Sequence, residues 1–196
     1  MSITPLQRVL ELIDRLNRDD PNTDLVDGVA RPRELVYAER LSAWIQRLDP
    51  HASEALQIAA RGQHVQRWTI PRSRYPMNRQ GYLRWRETLK TFHATTVGAL
   101  MREAGYASDE ITRVQTIMSK RQLAHDPDTQ TLEDALCLVF LETQFADLKR
   151  KTPDDTMRDI VRKTWAKMSE RGRAVAMQIP LGAEEWKWLT DVLSGV

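Results

Sequence analysis

Apolar residues recur at helical spacing along almost the whole chain. Leu6, Val9, Leu10, Ile13 and Leu16 form a first stripe, with the three- and four-residue steps of one helix face, and Asp20-Pro21-Asn22 stops it. A second stripe, Leu35, Ala38, Leu41, Ile45 and Leu48, follows Pro32 and ends at Asp49-Pro50; proline suits a first helical turn and disfavours helix in the residue before it. Ser53 opens a third helix, predicted to reach about Trp68. Pro71 and Pro76 make 70–76 an extended or turn segment. Asn78 opens a long fourth helix with the face Tyr82, Trp85, Leu89, Phe92 and Leu100, and Gly105 closes it. Ser108 starts a short helix carrying Val114, Ile117 and Met118. From Leu132 to Leu148 the chain is apolar around most of a helical circumference, the mark of a central buried helix. Pro153 opens a further helix through Met157, Ile160, Val161, Trp165 and Met168 to Gly172. The residues 182–193 are helix-like again, 174–179 suit a short strand or extended arm, and the stretch through Gly28 is expected to be a polar loop. No period-2 alternation, internal repeat or low-complexity segment stands elsewhere. The pattern predicts an all-α, single helical domain over 1–196 with about seven to eight helices: an N-terminal packing helix (1–20), a core (53–148) and C-terminal helices (153–196).

Length supports one compact domain, long enough to bury a core without disulfides. The one cysteine, Cys137, lies in an apolar run, so no disulfide framework or paired-thiol metal set exists, and core packing is its expected role. No run approaches the roughly 18 consecutive apolar residues of a membrane span, and the N-terminus has no basic region followed by an apolar stretch. The expectation is a cytoplasmic protein without a membrane partner; the apolar first helix leaves a homodimer open. No glycine-rich phosphate loop is present.

Charge sharpens this picture. Between Arg61 and Lys90, eight cations face one acid, Glu87, giving net +7 in a chain of net +2, so the rest sums to −5. Seven of the eight are arginines, whose planar fork matches phosphate and carboxylate oxygens two at a time. On a third helix running to Trp68, Arg61, His64 and Arg67 or Trp68 would share one face; on the fourth, Arg86, Lys90 and His93 repeat that spacing. Asp134 falls on the apolar central helix, where a buried carboxylate needs a partner, and the histidines and arginines are the nearest chemistry. His64, His93 and Asp134 are the candidate catalytic residues, with Arg61, Arg67, Arg72, Arg74, Arg79 and Arg86 as ligand-binding candidates. Against this stand the bland readings: a solvated arginine stripe, satisfied core histidines and tryptophans that anchor packing.

The runs Ala59 to Trp68, Arg74-Tyr75-Pro76-Met77, Gly81 to Arg86, Phe92-His93-Ala94, Leu132-Glu133-Asp134, Cys137 to Glu142, Lys163-Thr164-Trp165 and Lys167-Met168-Ser169 resemble the uncharacterised family called domain of unknown function 4202. That resemblance implies an α-helical protein and carries no activity. A more distant resemblance is to the HD-domain metal phosphohydrolases. It implies an HD-like core in which His64 takes the place of the first metal-binding His and Asp134 that of the last Asp, with His93 and Lys120 where some of those enzymes carry further histidines. The defining His-Asp pair is missing; His125-Asp126, the one such dipeptide, comes too late. One His and one Asp fall short of the three protein ligands of a catalytic metal centre. No cofactor is therefore expected; a divalent metal, disfavoured, would rest on His64 and Asp134.

The reading that unites these observations is a pocket for a small phosphorylated or nucleotide-like anion, built from the arginines with Lys120 and Glu133 beside them, on a divergent HD-type phosphohydrolase scaffold. Catalysis is left open. The alternative is a module that binds RNA or an acidic protein through the basic segment 61–90, with phosphate contacts and base stacking.

Overall fold

The hairpin at the chain's first turn region is the departure from an otherwise helical plan. A computed structural model of the chain describes residues 3–123 and 125–194. Among them are ten α-helices, two single-turn 3-10 segments (Arg67–Thr69 and Arg72–Arg74) and one two-stranded antiparallel sheet. The first helix, α1 (Pro5–Arg18), is capped reciprocally by Thr4 and Gln7 and buries Val9, Leu12 and Ile13. The expected polar loop is instead β1 (Thr23–Val26) paired with β2 (Val29–Pro32), Val26 opposite Val29. Asp27 and Gly28 both have positive φ, 51° and 79°, which suits the right-handed twist of a two-residue hairpin turn.

Helix α2 (Arg33–Leu48) begins at Pro32, which offers no side-chain cap. Asp20 supplies one from a distance: its Oδ2 accepts the Glu34 N–H at 3.0 Å and its Oδ1 accepts from Asn22. Helix α3 (Glu54–Gly62) is the hub, with Leu56, Ile58, Ala59 and Ala60 fully buried; the small Ala59 and Ala60 let α1, α2 and α5 (Ser108–Ser119) approach closely. It stops some six residues before the predicted Trp68. Gly62 lies against α4 (Arg79–Glu103), where a Cβ would stand 2.3 Å from Val97, and Gln66 then turns left-handed, its N–H held by Asn17 Oδ1 at 3.1 Å. Arg61, His64 and Arg67 consequently do not share a helix face.

Helix α4 starts at the Asn78 cap as predicted, but its first turns stand clear of the body: Tyr82 and Leu83 are exposed, while Leu89, His93, Val97 and Met101 are buried. Helix α6 (Pro127–Thr143) is the buried central helix, entered through the Asp126 cap. The helical count exceeds seven to eight because two predicted helices break. Gln144 separates α6 from α7 (Phe145–Lys151), placing Phe145 fully inside. Met168, in extended conformation, separates α8 (Asp154–Lys167) from α9 (Glu170–Ala176), where 174–179 had suggested a strand or arm. Helix α10 (Ala183–Leu193) closes the fold against α8. No helix among the described residues is long and apolar enough to cross a membrane.

Candidate functional site

The loop between α3 and α4 carries His64, and three elements hold it. Asn17 of α1 binds the Gln66 N–H, and His93 of α4 donates from Nδ1 to the Val65 carbonyl at 2.8 Å. A carbonyl only accepts, so the His93 proton resides on Nδ1 and its Nε2 is bare; that nitrogen is buried and has no partner. Burial, then the neighbouring His64, draw the His93 imidazolium down to about 3. His93 thus remains neutral and pins the loop that carries His64.

His64 stacks on Tyr37 of α2, ring centroids 4.0 Å apart and nearly parallel, and its centroid lies 6.0 Å from that of His93. Its Nδ1 is 3.2 Å from Glu34 Oε2. Burial is the main influence on both partners, in opposite directions. It pushes the Glu34 carboxyl up to about 7, opposed by Arg67 and reinforced by Asp20. It holds the His64 imidazolium well below its ordinary range, with the cations Arg67, Lys120 and Arg86 adding to the effect. Near neutrality a single proton on Glu34 decides whether the carboxyl donates to Nδ1 or accepts from it. A carboxylate accepting from Nδ1–H would leave Nε2 as the proton-accepting nitrogen; at 3.2 Å the two groups are in contact without an aligned hydrogen bond.

Around His64 opens a cleft of about 720 Å³. Its cations come from three helices and the loop: Arg67 from the loop, Arg86 and Lys90 from α4, then Lys120 from the end of α5 and Lys167 from the end of α8. Lys120 is left-handed, φ 53°, which ends α5 there. The Arg67 guanidinium lies over the Trp85 ring, 4.7 Å from its centroid, and Trp85 is itself fixed by donating Nε1–H to the Ile70 carbonyl at 2.8 Å. Buried Glu133 stands behind the wall in ion contact with Lys120 and, at 3.8 Å, Lys167. Lys90 pairs with Glu87 at 3.1 Å. Arg86 meets only Tyr82, through the ring and a 3.2 Å hydrogen bond to its hydroxyl; among the described residues it has no carboxylate partner.

Several predicted residues lie elsewhere. Arg61 forms a two-pronged pair with Asp14 of α1, both bonds 2.6 Å. Arg72 donates to the carbonyls of Tyr75, Pro76 and Asn78, shaping its own loop, and Arg74 and Arg79 are exposed outside the cleft. Asp134 does not meet His64 or His93. Its Oδ1 accepts from Ser169 N–H at 2.8 Å and Gln130 Nε2 at 3.0 Å, and its Oδ2 accepts the Ser169 hydroxyl, so it serves the start of α9. The carboxylate beside His64 is Glu34, which the sequence reading missed, as it did Tyr37 and Lys167. An acid in a helix's first turn reads as a partner of the helix dipole, and nothing local in the sequence signals that it points inward. The described residues hold no cluster of three His, Cys, Asp or Glu side chains able to ligate a metal.

The family model described as Domain of unknown function (DUF4202) matches residues 7–188. The chain belongs to that family. The match spans every residue that lines the cleft, from Tyr37 to Lys167, so the candidate site lies within the DUF4202 domain. No curated protein and no solved structure matches the chain.

Proposed function

We propose that this DUF4202 protein is a cytoplasmic binder of a small phosphorylated anion, held in the cleft by Arg67, Arg86 and Lys120. One observation carries the reading: Arg86 enters the cleft with no carboxylate partner among the described residues, beside Arg67, whose nearest acid, Glu34, lies 3.9 Å away and is raised toward neutrality. Five cations around the cleft outnumber the acids beside them, Glu34, Glu87 and Glu133, and an anion relieves the repulsion that the excess leaves. Hydrolysis of such a ligand is a second reading, supported by the 3.2 Å approach of Glu34 to His64 Nδ1. In that reaction a water would attack phosphorus while His64 Nε2 takes its proton, the ester oxygen leaving with the bonding pair as the cations stabilise its charge.

Calorimetric titration with inorganic phosphate tests the binding. Wild-type protein is expected to bind and Arg86→Ala to lose about tenfold or more, since a charged hydrogen bond contributes roughly 1.5–3 kcal/mol. Equal binding by both proteins sinks the reading. A flat phosphate titration together with tight, steeply salt-dependent binding of an RNA oligonucleotide transfers the basic segment to the nucleic-acid alternative. His64→Gln retains phosphate binding, and the hydrolytic reading stands only if that variant loses phosphate release.

A further inference from the structure

A second lobe of about 660 Å³ adjoins the cationic cleft and shares with it Tyr37, His64, Arg67 and Gln144. The two lobes differ in charge. Beyond the shared wall, the cationic lobe has Arg86 unpaired by any described acid. In the second lobe every cation has an acid within 4.0 Å: Arg33 with Asp24 at 2.9 Å, Arg40 with Glu142 at 4.0 Å, and Arg67 with Glu34 at 3.9 Å. Outside the shared wall and these ion pairs, the lining is aliphatic but for Thr143, from Leu25 on the hairpin, Val36 on α2 and Val139 on α6. Each lobe alone is of the size that holds a whole small molecule, roughly 300–1,000 Å³, and a lone phosphate leaves most of either unfilled.

Resting on the anion-binding reading, we propose that the two lobes are subsites of one ligand, a nucleoside monophosphate. Its phosphoryl group lies against Arg67, Arg86 and Lys120, and its uncharged body extends past Tyr37 into the hairpin lobe. The paired charges there repel no neutral molecule and offer hydrogen bonds, and the aliphatic side chains match the apolar faces of a ring system. A second phosphate in that lobe would meet Asp24, Glu34 and Glu142. His64, common to both lobes, stands where the phosphoester linkage crosses.

The test is calorimetry on the full chain with inorganic phosphate, AMP, UMP and ribose 5-phosphate. AMP or UMP is expected to bind about tenfold or more tightly than phosphate, the factor that roughly 1.4 kcal/mol of added contact supplies, with ribose 5-phosphate between them. Thr143→Trp fills the second lobe from an exposed position at the end of α6, and Leu25→Trp does so from the exposed hairpin. Either variant is expected to erase the nucleotide gain while leaving phosphate binding unchanged. Nucleotides that bind no better than phosphate, or a gain that survives both tryptophans, overturn the two-subsite proposal and leave the anion pocket standing. Failure of phosphate and nucleotides alike removes the anion pocket itself, and this proposal with it.

Discussion

Two carboxylates with almost the same burial, Asp134 at 3% exposure and Glu34 at 7%, live in opposite circumstances. Asp134 accepts hydrogen bonds on both oxygens, from a backbone N–H, a hydroxyl and an amide, all directed at it by Gln130 and Ser169. Glu34 receives no aligned hydrogen bond from the protein; the His64 nitrogen and the Arg67 guanidinium approach at 3.2 and 3.9 Å. A buried charge with its donors supplied fastens one helix to another, whereas one left short of donors is driven toward its neutral form and is free to exchange a proton. The difference marks Asp134 as part of the scaffold and Glu34 as part of the candidate site.

The largest effect that could break this contrast is at Asp134. Asp134→Ala leaves the partly buried Ser169 N–H and hydroxyl without their acceptor and loosens the start of α9, an expected loss of about 2–3 kcal/mol from the lost hydrogen bonds and the space left behind. Gly172→Ala strikes the same contact from α9, since a Cβ there would stand 2.5 Å from Asp134 Cγ. Urea unfolding measures both. An Asp134→Ala protein of wild-type stability that binds no phosphate would exchange the roles of the two carboxylates.

Glu34 gives the next effect, and its signature is pH dependence. Its carboxyl titrates near 7 in the folded protein against an ordinary 4.5, so the native state holds this proton more firmly than the unfolded chain. The stability it contributes is complete below about 4.5 and is lost as pH rises through 7. His64 and His93, both lowered by burial, act oppositely: their contribution is present above their ordinary 6.5 and is lost as pH falls below it. Wild-type stability is therefore expected to peak near pH 6.5, with respect to these three groups. In Glu34→Gln the falling arm disappears, and the variant gains on wild type by about 2–3 kcal/mol between pH 4.5 and 7.5, at 1.36 kcal/mol per pKa unit. Urea midpoints across that range check it; parallel curves for the two proteins would mean that Glu34 is an ordinary ionised carboxylate.

Much of the scaffold was legible because it is periodic. The stripes of α1, α2 and α5, the Asn78 cap and the apolar girth of α6 all follow from spacing, and the family match covers the same ground. Asp27-Gly28 suits a two-residue hairpin turn, yet the stretch was expected to be a polar loop, because only four residues flank it on each side, too few for alternation to stand out. The breaks at Gly62 and Met168 were not legible, because tertiary partners set them: Val97 packed against the glycine, and Asp134 holding Ser169. The placement of the candidate residues was legible in part. His64, Arg67, Arg86 and Lys120 do line one cleft, while the assignment of Asp134 to the histidines failed because helix periodicity gives a residue's face without saying which helix lies opposite.

The smallest effects separate two arginines of the same basic run. Arg61 grips Asp14 with two 2.6 Å bonds, each side chain 16% exposed, so Arg61→Ala strands a mostly buried carboxylate between α1 and α3. The expected cost is about 2 kcal/mol, below the 3–5 kcal/mol of a fully buried pair because solvent still reaches both groups. Arg86 carries no such obligation: it is exposed and touches only Tyr82. Arg86→Ala is expected to unfold within about 0.5 kcal/mol of wild type, and truncation there relieves repulsion from Arg67 instead of stranding an acid. Parallel urea curves therefore divide the run in two, with Arg61 spent on the fold and Arg86 held for a ligand. Were Arg86→Ala to cost as much as Arg61→Ala, the cleft cations would belong to an internal network and the unpaired guanidinium would lose its claim as an anion site.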